Sequence, residues 1–93
     1  MNIDKVVSFF KELDESCAIK LSSEVVGSVE IHNIEVGNFS AEIQVEGSYV
    51  AILTRHYKGF ASFDFSEGTA DSTAFVLDKI LNSIKENKID LAA

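Results

Sequence analysis

The chain has no proline and no tryptophan, a single cysteine, and only eight basic residues among 93. Without proline, no strand is forced to give up a ladder donor, so uninterrupted strands are permitted throughout. Cys17 alone cannot close an internal disulfide, which excludes a disulfide-stapled scaffold. One cysteine and two widely separated histidines, His32 and His56, also exclude a zinc site, and no metal or cofactor is implied. The longest apolar run, Tyr49 to Leu53, is far short of the roughly 18–20 residues that cross a bilayer. No basic-then-apolar leader opens the sequence, so the expected location is the cytoplasm.

Scarcity of positive charge is the strongest constraint on partners. Fifteen acidic residues against eight basic ones leave a net charge of −7, which repels phosphate backbones and anionic lipid heads. Direct binding to nucleic acid or membrane is disfavoured, and a protein partner with a basic surface is favoured. What is present in quantity is apolar: 46% of residues, with seven Phe. A chain of this length and composition predicts one folded domain over 1–93, burying roughly 60–65% of its unfolded surface.

Ile3, Val6, Val7, Phe10 and Leu13 recur at helical spacing behind the capping candidate Asn2, predicting a helix over about 3–14. Val76, Leu77, Ile80, Leu81 and Ile84 form a second stripe, predicting a helix over about 72–86 after the caps Thr69, Asp71 and Ser72. Phe9 and Phe75 fall off these stripes, placed either to flank the core or to add to a contact. Between the helices, from about 17 to 65, the pattern has period two and is broken at Gly37-Asn38, Gly47-Ser48 and Lys58-Gly59, all hairpin signals. An earlier segment from Cys17 to Leu21 alternates too and is expected to turn at Ser22-Ser23-Glu24. The expected fold is therefore α+β: a four- to five-stranded antiparallel β-meander with both flanking helices packed on one face.

Residues that pair across a two-residue turn share a face, so each turn fixes the faces of its two strands. Applied at all three turns, this rule predicts an inner face of Ile34, Val36, Phe39, Ala41, Ile43, Val45, Val50, Ile52, Ala61, Phe63 and Phe65. Val29 and Ile31 have the opposite parity, so a β-bulge is expected at His32-Asn33 to return them to the core. The outer face is then predicted to carry Glu30, Glu35, Glu42, Glu46 and Asp64 together with Tyr49, Leu53, Arg55, Tyr57 and Phe60. An Arg beside an aromatic pair, Tyr57 with Phe60, is of the kind enriched at protein-binding hot spots, and these ten outer-face residues are the candidate contacts.

No arrangement of catalytic groups is visible. Cys17 shares the parity of Ile19 and Leu21 and reads as a small core residue. His56 is expected near the rim of the inner face, and His32 at the bulge. The glycines serve single turns and form no phosphate loop. Paired carboxylates on an open sheet lack the sheltered pocket that raises a pKa for acid/base work, so the chain reads as a non-enzyme.

The opening Met1-Asn2-Ile3 with its short helix, followed by Ile19-Lys20-Leu21-Ser22 entering a strand, a meander and a final amphipathic helix, resembles small acidic phage anti-CRISPR inhibitors that mimic DNA. The resemblance implies an inhibitor that occupies a positively charged nucleic-acid-binding groove of a CRISPR effector. It carries over no functional residue. The same acidic surface would serve a bacterial immunity protein that neutralises a nuclease toxin. A dimeric adaptor or chaperone-like module, joined through the outer face or an edge strand, is the third reading.

Overall fold

The structure, a computed structural model, describes residues 1–57, 61–69 and 71–91. Helix α1 (Ile3–Leu13) precedes strands β1 (Ile19–Val26), β2 (Val29–Val36), β3 (Phe39–Glu46), β4 (Tyr49–Tyr57) and β5 (Ala61–Thr69), and helix α2 (Ser72–Asn87) follows. The strands form one sheet in the order β1-β2-β3-β4-β5, every neighbour antiparallel. This is the expected α+β meander, with both helices on one face.

Each helix begins where a side chain can satisfy a free backbone amide. The Asn2 side chain accepts from the Lys5 N–H at 3.3 Å, and the Asp71 carboxylate from the Ala74 N–H at 2.9 Å. The Asn2 N–H donates to the Thr73 hydroxyl at 2.9 Å, which ties the two helix starts together. Helix α2 ends at Lys88 in the left-handed conformation, φ 51°. Beyond it, Leu91 is buried against the core.

Val6 and Phe10 of α1 and Val76 and Ile80 of α2 meet Ile34, Val36, Phe39, Ile43, Val50 and Ile52 of the sheet. The Phe10 and Phe39 rings stand 5.9 Å apart, and Phe9 packs edge-on to Phe10 at 6.1 Å. Cys17 is buried beside them, its thiol donating to the Phe10 carbonyl at 3.6 Å. Phe75 also has a structural role. Its ring lies over Gly68 of β5, where an added Cβ would come within 3.0 Å of it.

Three expectations are corrected. The first turn is Gly27-Ser28, not Ser22-Ser23-Glu24, so β1 runs unbroken through those serines and pairs with β2 from Ile19↔Val36 to Val26↔Val29. Gly27 has φ +63°, like Gly37 and Gly47 at +58° and +59°; with positive φ at the first turn residue only, all three fit the type II′ hairpin. Second, the β2–β3 register is continuous from Glu30↔Val45 to Val36↔Phe39, with no bulge at His32-Asn33. Val29 and Ile31 consequently stay on the outer face, and Glu30 and His32 take the inner one.

The third correction concerns β5. The Lys58-Gly59 turn itself falls outside the described residues, but Tyr57 pairs with Ala61, leaving three residues between the paired ends instead of two. A shift of one residue reverses every side chain in a strand. Phe63 therefore lies opposite Arg55, and Phe65 opposite Leu53, on the outer face. The Gly68–Phe75 contact supplies a reason: the inner face of β5 presents its residue without a Cβ where α2 places a ring.

Candidate protein-binding surface

The outer face of β4 and β5 carries alternating large side chains because pairing places them there. Tyr49, Leu53, Arg55 and Tyr57 project from β4 beside Phe63 and Phe65 of β5. Phe63 is 65% exposed, Phe65 61% and Tyr57 49%. Singly exposed apolar residues need no explanation, but adjoining ones rimmed by polar groups mark interaction sites. Arg55 lies between Ser40 of β3 and Phe63 of β5, the middle of a five-residue cluster with Leu53 and Phe65. Beside it, a shallow depression of about 310 Å³ is lined by Ser22, Asn33, Ser40, Glu42, Leu53 and Arg55, among others.

Carboxylates frame this cluster. On the outer face, Glu24, Glu35, Glu42, Glu46 and Glu67 outnumber the cations Lys20 and Arg55 by five to two among the described residues. Glu67 accepts from the Tyr49 hydroxyl, and this bond is the first cause that raises the phenol above its ordinary value. Gln44 donates to Glu42 at 3.3 Å.

Seven of the ten predicted contact residues share this face: Glu35, Glu42, Glu46, Tyr49, Leu53, Arg55 and Tyr57. Glu30 does not, because without the bulge its parity turns it inward, where its carboxylate lies 3.4 Å from His32 Nε2. Asp64 does not either. The β5 shift sends it to the helix side, where with Thr54, Ser66, Lys79 and Ser83 it lines a cavity of about 250 Å³. Phe60 falls outside the described residues. The residues missed were Phe63 and Phe65, whose period-two pattern gave the right companions but the wrong side, and Glu67, which lies in β5 beyond the expected strand end near 65.

Two other polar groupings stand on the inner face; the first was not anticipated, whereas His56 was expected on that face near its rim. Opposite each other on the inner face, the Ser23 hydroxyl and His32 Nδ1 lie 2.7 Å apart, and with Glu30 they form a Ser–His–Glu chain on open strands. Nearer α2, His56 is buried with neither ring nitrogen hydrogen-bonded among the described residues. It borders a cavity of about 160 Å³ formed with Asn38, Tyr57 and residues 87–90 at and beyond the end of α2. Among the described residues no group of three or more His, Cys, Asp or Glu side chains is placed to hold a metal ion. No helix among them is long and apolar enough to cross a membrane.

Fold and surface together define a class: an α+β protein whose helices cover one side of a meander and leave an aromatic, acid-rimmed face on the other. No family model matches the chain, and neither a curated protein nor a solved structure matches it.

Proposed function

We propose that this chain is a cytoplasmic protein-binding inhibitor whose contact surface is the outer face of β4 and β5 and whose partner presents a basic, nucleic-acid-binding surface. The observation that carries the reading is the exposure of Phe63, Phe65 and Tyr57 on one face around Arg55. Aromatic and Arg side chains supply most of the energy at protein interfaces, and burying two Phe rings gives a partner a large apolar gain. The carboxylate rim favours a basic partner, chiefly by speeding its approach. With Phe63 and Phe65 beside Arg55 and Leu53, the face suits a mixed apolar and ionic contact better than a purely acidic imitation of DNA.

A CRISPR effector, as the resemblance to phage inhibitors implies, is one partner of this chemistry. A nuclease toxin bound by an immunity protein is another. Titration of purified effector complexes and basic nucleases against the immobilised protein separates them. Phe63→Asp with Phe65→Asp should abolish the binding found, and Glu42→Lys with Glu46→Lys should slow association and weaken its salt dependence. Tight binding unchanged by both pairs would remove the outer face from the proposal.

A further inference from the structure

Strand β1 is an open edge of unusual regularity. It runs eight residues beside β2 with no bulge and no proline, and all but its first residue are exposed. Helix α2 lies over β3, β4 and β5, and beyond Ile19, which packs against the core, the inner face of β1 is exposed. Leu21 is 44% and Val25 71% exposed there. Natural edge strands are usually short, bulged or heavily charged, because a flat apolar edge pairs with whatever strand it meets. The charges of β1 are Lys20 and Glu24, one of each sign, on the same face and four residues apart.

Its hydrogen-bonding groups face outward in a defined set. Val26 and Val29 flank a two-residue turn and form a hydrogen-bonded pair, so the even-numbered residues direct their amides and carbonyls to β2. Ile19, Leu21, Ser23 and Val25 direct theirs to the free edge.

We infer that β1 pairs antiparallel with β1 of a second copy about a twofold axis at Ser22. In this register Leu21 exchanges hydrogen bonds with Ser23 of the second copy, and Ile19 does so with Val25. The outer-face neighbours are non-hydrogen-bonded pairs, in which side chains stand closest. There Lys20 meets Glu24 of the second copy, and the symmetry makes that ion pair twice. Sliding the axis by one residue either way sets Lys20 against Val26 or Ser22 and loses both pairs. The charge pattern therefore selects a single register and a single occupant.

The opposite edge does not share this complementarity. Strand β5 carries Asp64 and Glu67 and no basic residue, so a second copy there would meet only its own sign. Pairing at β1 makes one sheet of ten strands, twice the five of a single copy. Paired residues share a face, so both β4–β5 surfaces lie on the same side at the two far ends. A dimer of this kind presents two binding surfaces at once, which raises avidity for a repetitive or twofold partner. The dimer is independent of the proposed inhibitor role, since it uses neither Phe63 nor Phe65.

The test is sedimentation velocity of the full chain from micromolar to several hundred micromolar at near-physiological salt. The expected mass rises from 10.2 kDa towards twice that value. Lys20→Glu and Glu24→Lys each turn two attractive pairs into two repulsive ones, and each alone should weaken dimerisation by at least roughly tenfold. An equimolar mixture of the two variants should recover the dimer, because every introduced charge then meets its opposite. Far-UV circular dichroism of each variant checks that the fold is intact. A wild-type monomer at the highest concentration overturns the inference. So does a dimer indifferent to both reversals, or one dissociated instead by Phe63→Asp.

Discussion

Replacing Phe63 or Phe65 by Ala distinguishes sharply between two registers of β5. Both side chains stand on the outer face, the residues 65% and 61% exposed, so a little over a third of each residue's surface is shielded from water. Full burial of a Phe side chain contributes about 1.5–3 kcal/mol, which scales to about 0.5–1 kcal/mol for each truncation. With a two-residue connection both rings would face α2, and each truncation would remove a core aromatic at about 3–5 kcal/mol. The double variant widens the gap to about 1–2 against about 6–10 kcal/mol, the latter comparable with the whole stability of a small domain. Equilibrium urea unfolding followed by far-UV circular dichroism measures the difference, with wild type and variants fitted to a shared slope. A loss above about 3 kcal/mol for either single variant would refute the register, and with it the aromatic surface.

Two further outcomes follow from contacts elsewhere. Gly68→Ala forces the Phe75 ring aside from its 3.0 Å approach and should cost about 1–3 kcal/mol in the same unfolding experiment, with much of the loss relieved by Phe75→Leu. Tyr49 titrates above its ordinary value of 10.0 because its hydroxyl donates to Glu67, so the protonated phenol is the form favoured by folding. Its contribution is present below the unfolded value and is lost as pH rises through the raised folded value. Ultraviolet titration of Glu67→Gln should show a tyrosine returning downward, and an unchanged curve would mean that the bond is absent in solution.

How far the fold could be read from sequence depended on how tightly glycine turns bracketed each strand. Strands β3 and β4 lie on either side of Gly47-Ser48, and their register agrees with expectation at every pair from Glu46↔Tyr49 back to Glu42↔Leu53. The helices were legible too, since periodic stripes and the caps Asn2 and Asp71 coincide. The first hairpin was not, although Gly27-Ser28 is the same kind of dipeptide as Gly47-Ser48 and stands ten residues before Gly37 as Gly47 stands ten after it. That period was the usable signal. The parity of Val29 and Ile31 suggested a bulge only on the assumption that apolar residues must turn inward, and the Ser23–His32–Glu30 chain shows polar groups holding the inner positions instead while Val29 and Ile31 are half-buried on the outer face. For β5 the same assumption failed for a deeper reason. Phe63 and Phe65 alternate as core residues do, and the Tyr57↔Ala61 register, with Gly68 under the Phe75 ring, puts them outside.

The three residues separating Tyr57 from Ala61 make the aromatic surface a matter of counting. Substitutions can erode such a surface one side chain at a time, and each step leaves the rest in place. Loss of one residue between those positions would instead turn Phe63, Phe65 and Glu67 toward the helices in a single event, and bring Asp64 and Ser66 outward in their stead. The smallest genetic change that could erase this aromatic face entirely, or create it from an ordinary wet sheet, is thus a codon gained or lost between Tyr57 and Ala61.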